Sequence, residues 1–453
     1  MLSNEKNEML AQAGKGTPMG EVFRRFWLPA LLVAEIAAPD SPPVRLRLLG
    51  EDLLAFRDSA GRIGIVDAYC PHKLAPLYNG RNEEGGLRCV YHGWKFDVTG
   101  RCMDIPNLPA DFNTAGLKQR VALTAYPIRE AGGLVWIYMG PADPPPEIPG
   151  FEWTRVPDDH LHVSRWLQST NWAQGMEGEI DSSHISFLHR EFVPRPPVEG
   201  RVNVSARTPL GSPPDAAPVL TLKQTDYGFM YGARRDNSSG QYYWRVTQWF
   251  VPMYSMIPNG EYPRSGRAWV PVDDHHVMVF NYIYRADRAF TAQEVAYLDA
   301  GPSFPPPLKY APHILPDGYV IDTFLPLANK ANNYQLDRAL QKKVNFSGIK
   351  ITTDQDRALQ ENMKSGFGLG PGRIVDRSRE MLVPSDLPVI TARRIMLKMA
   401  SNLQKGIEPT QPYQAELYKA LSMSALSPEA AFDDFVQAHP EQASAGPELG
   451  DSE

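Results

Sequence analysis

The chain has 453 residues, 43% of them apolar and 22% charged, with a formal net charge of −6. That length suits two or three domains, and the balance of side chains is that of a folded globular protein rather than a disordered one. A negative chain offers no basic field for nucleic acid, and no window approaches the roughly eighteen uninterrupted apolar residues of a membrane-spanning helix.

The opening segment, MLSNEKNEML, is charged and has no apolar signal run, so a cytoplasmic protein is expected. Residues 5–28 read as helical, with a break at Trp27-Leu28-Pro29. Residues 1–44 are therefore expected to form a helical segment packed on a later domain. Two apolar stretches, 53–56 and 63–66, flank Asp58-Ser59-Ala60-Gly61 and predict a β-hairpin, and 134–139 is a further strand candidate. Short strands separated by turns predict a small all-β domain over residues 45–140. The Pro-rich stretch 141–149 reads as a linker that opens an α+β domain over 141–424. That domain should hold a helix within 171–189, strands at 242–251 and 276–284, Pro-rich loops at 193–218 and 301–318, and helices at 353–365 and 391–403. From 425 the chain is rich in Ala, Pro and Glu, and a mobile tail is expected.

Three cysteines, Cys70, Cys89 and Cys102, are too few for a disulfide framework. Two of them sit beside histidines: Cys70-Pro71-His72, sixteen residues, then Cys89-Val90-Tyr91-His92. A zinc finger pairs like with like, whereas each pair here mixes thiolate and imidazole. Two Cys and two His suit a Rieske [2Fe–2S] cluster, in which histidines replace cysteines on one iron; a structural zinc site is the competing reading. Pro71 stiffens the first loop and Gly93 permits a tight turn in the second. Cys102 has no such partner and reads as a small buried hydrophobe.

A second constellation is Asp181, His184 and His189. The histidines lie about 140° apart on an ideal helix, so they converge only if the helix ends or bends. Two histidines and one carboxylate with open positions suit an Fe(II) that must meet dioxygen. Asp181 is too near His184 to share its metal without strain. The helix at 353–365 offers Asp356, which shares a stripe with Leu359, Met363 and Ile349 and so points inward, while Asp354 falls beside Arg357 and Glu361 on a face read as solvated. His275 and His276 read as structural, and His160, His162, His313 and His439 have no site-like spacing.

With these motifs, the chain resembles the α-subunits of Rieske non-haem iron ring-hydroxylating oxygenases, in particular the phthalate dioxygenase-like group. The resemblance runs over nearly the whole length, through Gly16-Thr17-Pro18-Met19-Gly20, residues 79–100, residues 171–189, Tyr242-Tyr243-Trp244-Arg245 and Asp376-Arg377-Ser378. It implies a Rieske domain followed by a helix-grip catalytic domain, an antiparallel sheet with helices. It implies that Cys70, His72, Cys89 and His92 hold the cluster and that His184, His189 and Asp356 hold the iron. It further implies that Asp181 bridges a cluster histidine of one subunit and an iron-ligand histidine of the next, by position His92 and His184, in a head-to-tail homotrimer or stacked trimers. An NADH-dependent reductase, with FMN and a plant-type [2Fe–2S] centre, would supply electrons.

A substrate carboxylate needs a fixed cation in so acidic a chain, and the planar fork of arginine suits it. The candidates are Arg207, Arg234, Arg235 and Arg245. Arg245 and Arg207 are preferred, the first because it sits among Tyr242, Tyr243, Trp244 and Trp249. The expected activity is cis-dihydroxylation of an aromatic carboxylate such as a phthalate or substituted benzoate. Competing readings are O-demethylation of a methoxy-arene or cleavage of an aryl ether and, more distantly, a Rieske electron carrier, against which the long stretch beyond the cluster domain speaks.

Overall fold

In the first domain, strands β1 (Val44–Leu48), β2 (Glu51–Arg57) and β3 (Ile63–Asp67) form an antiparallel meander, with Val44 opposite Ala55 and Leu53 opposite Asp67. The hairpin between β2 and β3 falls where the sequence places it. The buried Asp58 carboxylate accepts from the backbone N–H groups of Ala60 and Arg62, and Gly61 takes the left-handed conformation that the turn requires. The computed structural model describes residues 1–203, 215–237, 240–260, 262–366 and 374–440. A four-stranded sheet (81–83, 86–88, 95–96 and 102–104) and the short pair Tyr69–Cys70 with Ala75–Pro76 carry the two Cys/His loops. Their core contains Leu54, Phe56, Leu77, Leu87 and Phe96, with Cys102 buried among them.

The N-terminal segment forms two helices, Asn4–Ala11 and Pro18–Arg24, instead of the single one expected. The intervening glycines break the helix, and Thr17 caps the second one by accepting from the N–H of Gly20. Residues Trp27–Leu32, expected in part to be helical, form a fully buried strand paired with Leu134–Tyr138. The segment is tied to the second domain by Asn171, whose side-chain amide donates to the Ala11 carbonyl, and by Asn7, which donates to that of Val375.

The second domain is built on an eight-stranded antiparallel sheet: β4 (Leu161–Gln168), β5 (Val219–Thr225), β6 (Gly228–Asp236), β7 (Tyr242–Phe250), β8 (Tyr254–Ile257), β9 (Arg264–Pro271), β10 (Val277–Tyr284) and β11 (Met423–Ser427). The order is β4-β10-β9-β8-β7-β6-β5, and β11 pairs with the first half of β7. Alternation along β7 sends Trp244 and Val246 to one face, where they pack with Phe432 and Phe435. Arg245 and Thr247 then face the other side, into a cleft. Helices α1 (Trp172–Glu179) and α2 (Thr352–Gln360) lie on the cleft side, and α3 (Leu387–Gln404) packs on the N-terminal helices.

Two further expectations are corrected. The tail expected to be mobile from 425 is ordered to 440: β11 joins the sheet, and Phe432 and Phe435 of the helix Phe432–Ala438 stack on Trp244 at 5.5 and 5.1 Å. Aromatic burial outweighs the polar composition there, and residues 441–453 lie outside the described residues. On α2 the inward face was misassigned. Leu359 and Met363 are exposed, whereas Asp354, Arg357 and Glu361 are buried in one ion-paired cluster. Burial raises the Asp354 carboxyl to about 6 against the opposing pull of Arg357. The helix buries its polar side because that side serves a polar site.

Candidate active site

The cluster loops are shaped by tight turns. The Leu74 N–H donates to the Cys70 carbonyl, and the Gly93 N–H to that of Cys89, both at 2.9 Å. Gly93 has a φ of 78°, and a Cβ there would meet the Pro106 ring at 2.6 Å, so glycine is required. The His72 ring stacks on Trp94 at 4.6 Å with planes 2° apart, and the His92 ring meets it edge-on at 4.5 Å. Cys70 and Cys89 are both buried. Burial, with Cys89 as neighbour, pushes the Cys70 thiol up to about 11. The His72 Nδ1 is buried without a hydrogen bond. Two adjoining thiols and two adjoining imidazoles, one with an orphaned nitrogen, form a donor set that fits a Rieske cluster.

In the second centre, α1 ends at Glu179, ahead of both histidines, and a 3-10 turn spans His184–Ser186. Because the regular helix has already ended, the imidazoles can converge. His184 Nε2 lies 3.2 Å from His189 Nε2, and Asp356 Oδ1 lies 3.6 Å from the first and 3.3 Å from the second. Among the described residues, these three form the one group of such side chains close enough to share a metal ion. Three donors on one side of a cleft fit a metal that keeps positions open. Burial opposes charge on His184, yet Asp181 and Asp356 together hold its imidazole above the ordinary value. Burial likewise opposes charge on Asp356, yet His189 holds its carboxyl below the usual range.

The supporting contacts decide which ring nitrogens face inward. The Asp181 carboxylate lies 3.5 Å from His184 Nδ1 and also accepts from the Ser183 N–H at 2.7 Å. Arg235 donates to the Ser182 carbonyl at 2.6 Å and anchors that turn. Gln355 Oε1 lies 2.6 Å from His189 Nδ1. Sequence reasoning missed Gln355, although its place beside Asp356 on a helix was the available signal.

The cleft encloses about 760 Å³, counted out to its open mouth. Trp166, Ile257, Trp269 and Phe304 supply apolar walls, and Arg245, Arg267, Glu179 and Tyr231 supply polar groups. Arg245 therefore lies where the sequence places it, buried in the same cleft as the metal-binding group. Arg207 lies outside the described residues. Arg234 points away from the cleft, over the Tyr242 ring. The Glu179–Arg267 pair was not anticipated; Arg267 is one of two arginines on β9, and nothing in its spacing points to Glu179.

A cluster-binding β-domain joined to a sheet-and-helix domain with a two-histidine, one-carboxylate centre defines an iron–sulfur, non-haem iron oxygenase. Residues 26–127 match the model of the Rieske [2Fe-2S] domain, and residues 137–426 match that of the LigXa C-terminal domain like family. The chain is 36% identical to the 3-chlorobenzoate-3,4-dioxygenase oxygenase subunit of Comamonas testosteroni, over 92% of this chain and 93% of that protein. It is 38% identical to the phthalate 4,5-dioxygenase oxygenase subunit of Pseudomonas putida, over 90% and 88%. Among solved structures, the terminal oxygenase of carbazole 1,9a-dioxygenase from Novosphingobium sp. KA1 shares the fold, with a TM-score of 0.52 at 19% identity over 88% of this chain and 96% of that one. The chain belongs to the Rieske non-haem iron ring-hydroxylating oxygenases, as an oxygenase component of the phthalate dioxygenase-like group. Its prosthetic groups are a Rieske [2Fe–2S] cluster and a mononuclear iron in the catalytic domain. No described helix is long and apolar enough to cross a membrane.

Proposed function

We propose that the chain cis-dihydroxylates an aromatic carboxylate, with Arg245 as the anchor for the acid. The carrying observation is that one cleft holds His184, His189 and Asp356 together with a buried arginine and aromatic walls. The names of the two relatives, one a chlorobenzoate and the other a phthalate dioxygenase, support this substrate class. In this reading Cys70, His72, Cys89 and His92 hold the cluster, and His184, His189 and Asp356 hold the iron. When bound, these groups supply single-electron transfer and dioxygen activation. The chain's own residues do the rest. Gln355 and Asp181 fix the two imidazoles, and the indole and phenyl walls exclude water. The Arg245 fork fixes the carboxylate, and through it the ring edge that reacts.

As an oxygenase component the chain works with a separate reductase, which we take to be NADH-dependent with FMN and a plant-type [2Fe–2S] centre. We also infer a head-to-tail homotrimer or stacked trimers in which Asp181 bridges His184 to the partner subunit's His92. Exposed apolar side chains support such a contact at both ends: Leu74, Val90 and Tyr91 on the cluster loops, and Phe187, Phe192 and Phe346 beside the second centre.

The test is turnover of a panel of aryl acids and methoxy-arenes by the purified enzyme with a reductase and NADH, products being identified by mass spectrometry. Dihydrodiols of aryl acids are expected, with KM raised at least about tenfold in Arg245→Ala at unchanged iron content. Demethylated products alone, or an unaltered KM, would sink the proposal.

A further inference from the structure

Arg267 of β9 and Glu179, the last residue of α1, meet inside the cleft as an ion pair. Their side chains are only 4% and 5% exposed. The Arg267 guanidinium also lies 3.7 Å over the Phe304 ring, and its Nε is buried without a hydrogen bond. Arg245 lies on β7, two strands from Arg267 in the sheet order, and Ile257 of the intervening β8 lines the same cleft.

We propose that Glu179 acts as a charge filter, so that the cleft takes aromatic carboxylates with neutral meta or para substituents and rejects those with a second acid group at either position. This rests on the reading that Arg245 holds the substrate's acid group. Arg267 lines the same cleft two strands from Arg245, about 10 Å along the sheet, so a meta or para group on a ring anchored at Arg245 is the one that can reach it. Glu179 already claims the Arg267 charge. A second carboxylate has two options there. It can share Arg267 with Glu179, which places two anions on one cation away from water. Or it can displace Glu179, which strands a buried carboxylate with no partner. Both are strongly unfavourable, because breaking a buried pair exposes the full desolvation cost of the group left behind. A hydroxyl, methoxy or halogen substituent meets no such opposition. The filter is a built-in repulsive element, and it selects against the wrong substrate without adding affinity for the right one.

The experiment is calorimetric titration of the holoenzyme with benzoate, 3-hydroxybenzoate, 3-chlorobenzoate, phthalate, isophthalate and terephthalate. It is repeated on Glu179→Gln, on the double variant Glu179→Gln/Arg267→Gln, and on Arg245→Ala. The wild type should bind the best monocarboxylate at least about tenfold more tightly than isophthalate or terephthalate, and phthalate, whose acids are adjacent, is the control outside the filter's reach. Glu179→Gln, which keeps the shape and frees the Arg267 charge, should close most of that gap by tightening isophthalate and terephthalate. The double variant should restore rejection. Cluster absorbance and iron content certify each variant, and should Glu179→Gln lose either, the wild-type ratio decides. Equal wild-type affinity for the monocarboxylates and for isophthalate and terephthalate, or a ratio unmoved in an intact Glu179→Gln, overturns the filter alone. Benzoate binding that survives in Arg245→Ala, or is absent from the wild type, overturns the carboxylate reading and the filter with it.

Discussion

The Nδ1–H of His189 donates to Gln355 Oε1 over 2.6 Å, and this contact leaves the lone pair of Nε2 facing Asp356 Oδ1. Gln355 has no freedom to flip, because its Nε2 donates to the Ile349 carbonyl at 2.7 Å. The tautomer of the His189 imidazole is thus set two hydrogen bonds further out, by a backbone carbonyl. Gln355→Leu should keep the fold and the cluster but weaken iron binding by about 10- to 100-fold. Iron retained after dialysis against a mild chelator, read beside the visible absorption of the cluster, checks this. Full iron retention in the variant would show that Asp356 and packing alone orient the ring.

Asp181 stands in the same relation to His184, 3.5 Å from its Nδ1, but its side chain is still 28% exposed. A carboxylate that orients one imidazole and also reaches the surface is suited to a second partner. Asp181→Asn keeps the shape and removes the charge. Both metal centres should remain, while turnover falls by about 10- to 100-fold. The discriminating readout is the rate of cluster reoxidation when prereduced enzyme meets substrate and dioxygen. A slowed rate marks loss of the connection between centres; a normal rate with low product would confine Asp181 to a local role.

How far the sequence revealed this arrangement depended on whether a residue's role was local. The Cys/His pairs, the β2–β3 hairpin and the inward face of Arg245 on β7 were readable because spacing and alternation fix them within a few residues. The pairing of His184 with His189 was readable only as a condition, that the helix end or bend between them; the helix in fact stops earlier, at Glu179, ahead of both. Asp356 does lie with His184 and His189, but not for the reason its stripe suggested. The apolar stripe of α2 faces solvent, and the helix buries Gln355, Arg357 and Gln360 instead. Hydrophobic periodicity locates a core, and it misleads where the buried face is a polar network satisfied by distant residues. Gln360, which accepts from Gln168 and Gln174, is such a case: its partners are nearly 200 positions away and leave no local trace. The burial of Phe432 and Phe435 against Trp244 was hidden in the same way by the polar composition around them.

The stack of His72 on Trp94 ties one cluster loop to the other, and the Trp94 indole N–H donates to Asn107 Oδ1 at 2.9 Å, which sets the ring plane. Trp94→Phe keeps an aromatic face, whereas Trp94→Leu removes it. The loss of stacking should cost about 1 kcal/mol more in the leucine variant. That difference should appear as earlier bleaching of the visible cluster absorption on heating, with the catalytic-domain iron unaffected. Identical bleaching curves for the two variants would mean that the indole only fills space.

Glu177 lies one turn before Asp181 and ties three parts of the chain together. It accepts from Arg393 of α3 at 2.8 Å and from Arg377 at 3.2 Å, and Arg377 also donates to Asn7 in the first N-terminal helix. Burial pushes its carboxyl up, but the two guanidiniums prevail and bring it from 4.5 down to about 2. A folded-state value below the unfolded one stabilises the fold at pH above about 4.5, and the stabilisation disappears as pH falls toward 2. At about 1.4 kcal/mol per unit the drop corresponds to roughly 3 kcal/mol. Glu177→Gln should therefore be about 3 kcal/mol less stable than the wild type at pH 7, since it leaves two buried guanidiniums facing a neutral amide. The gap should narrow steadily below pH 4.5, because the carboxyl of the unfolded wild-type chain takes up a proton there while that of the folded chain does not. Urea unfolding of both proteins from pH 7 to pH 3 measures it. A gap that stays constant over that range would mean the carboxylate's charge contributes nothing and that the glutamine merely packs badly.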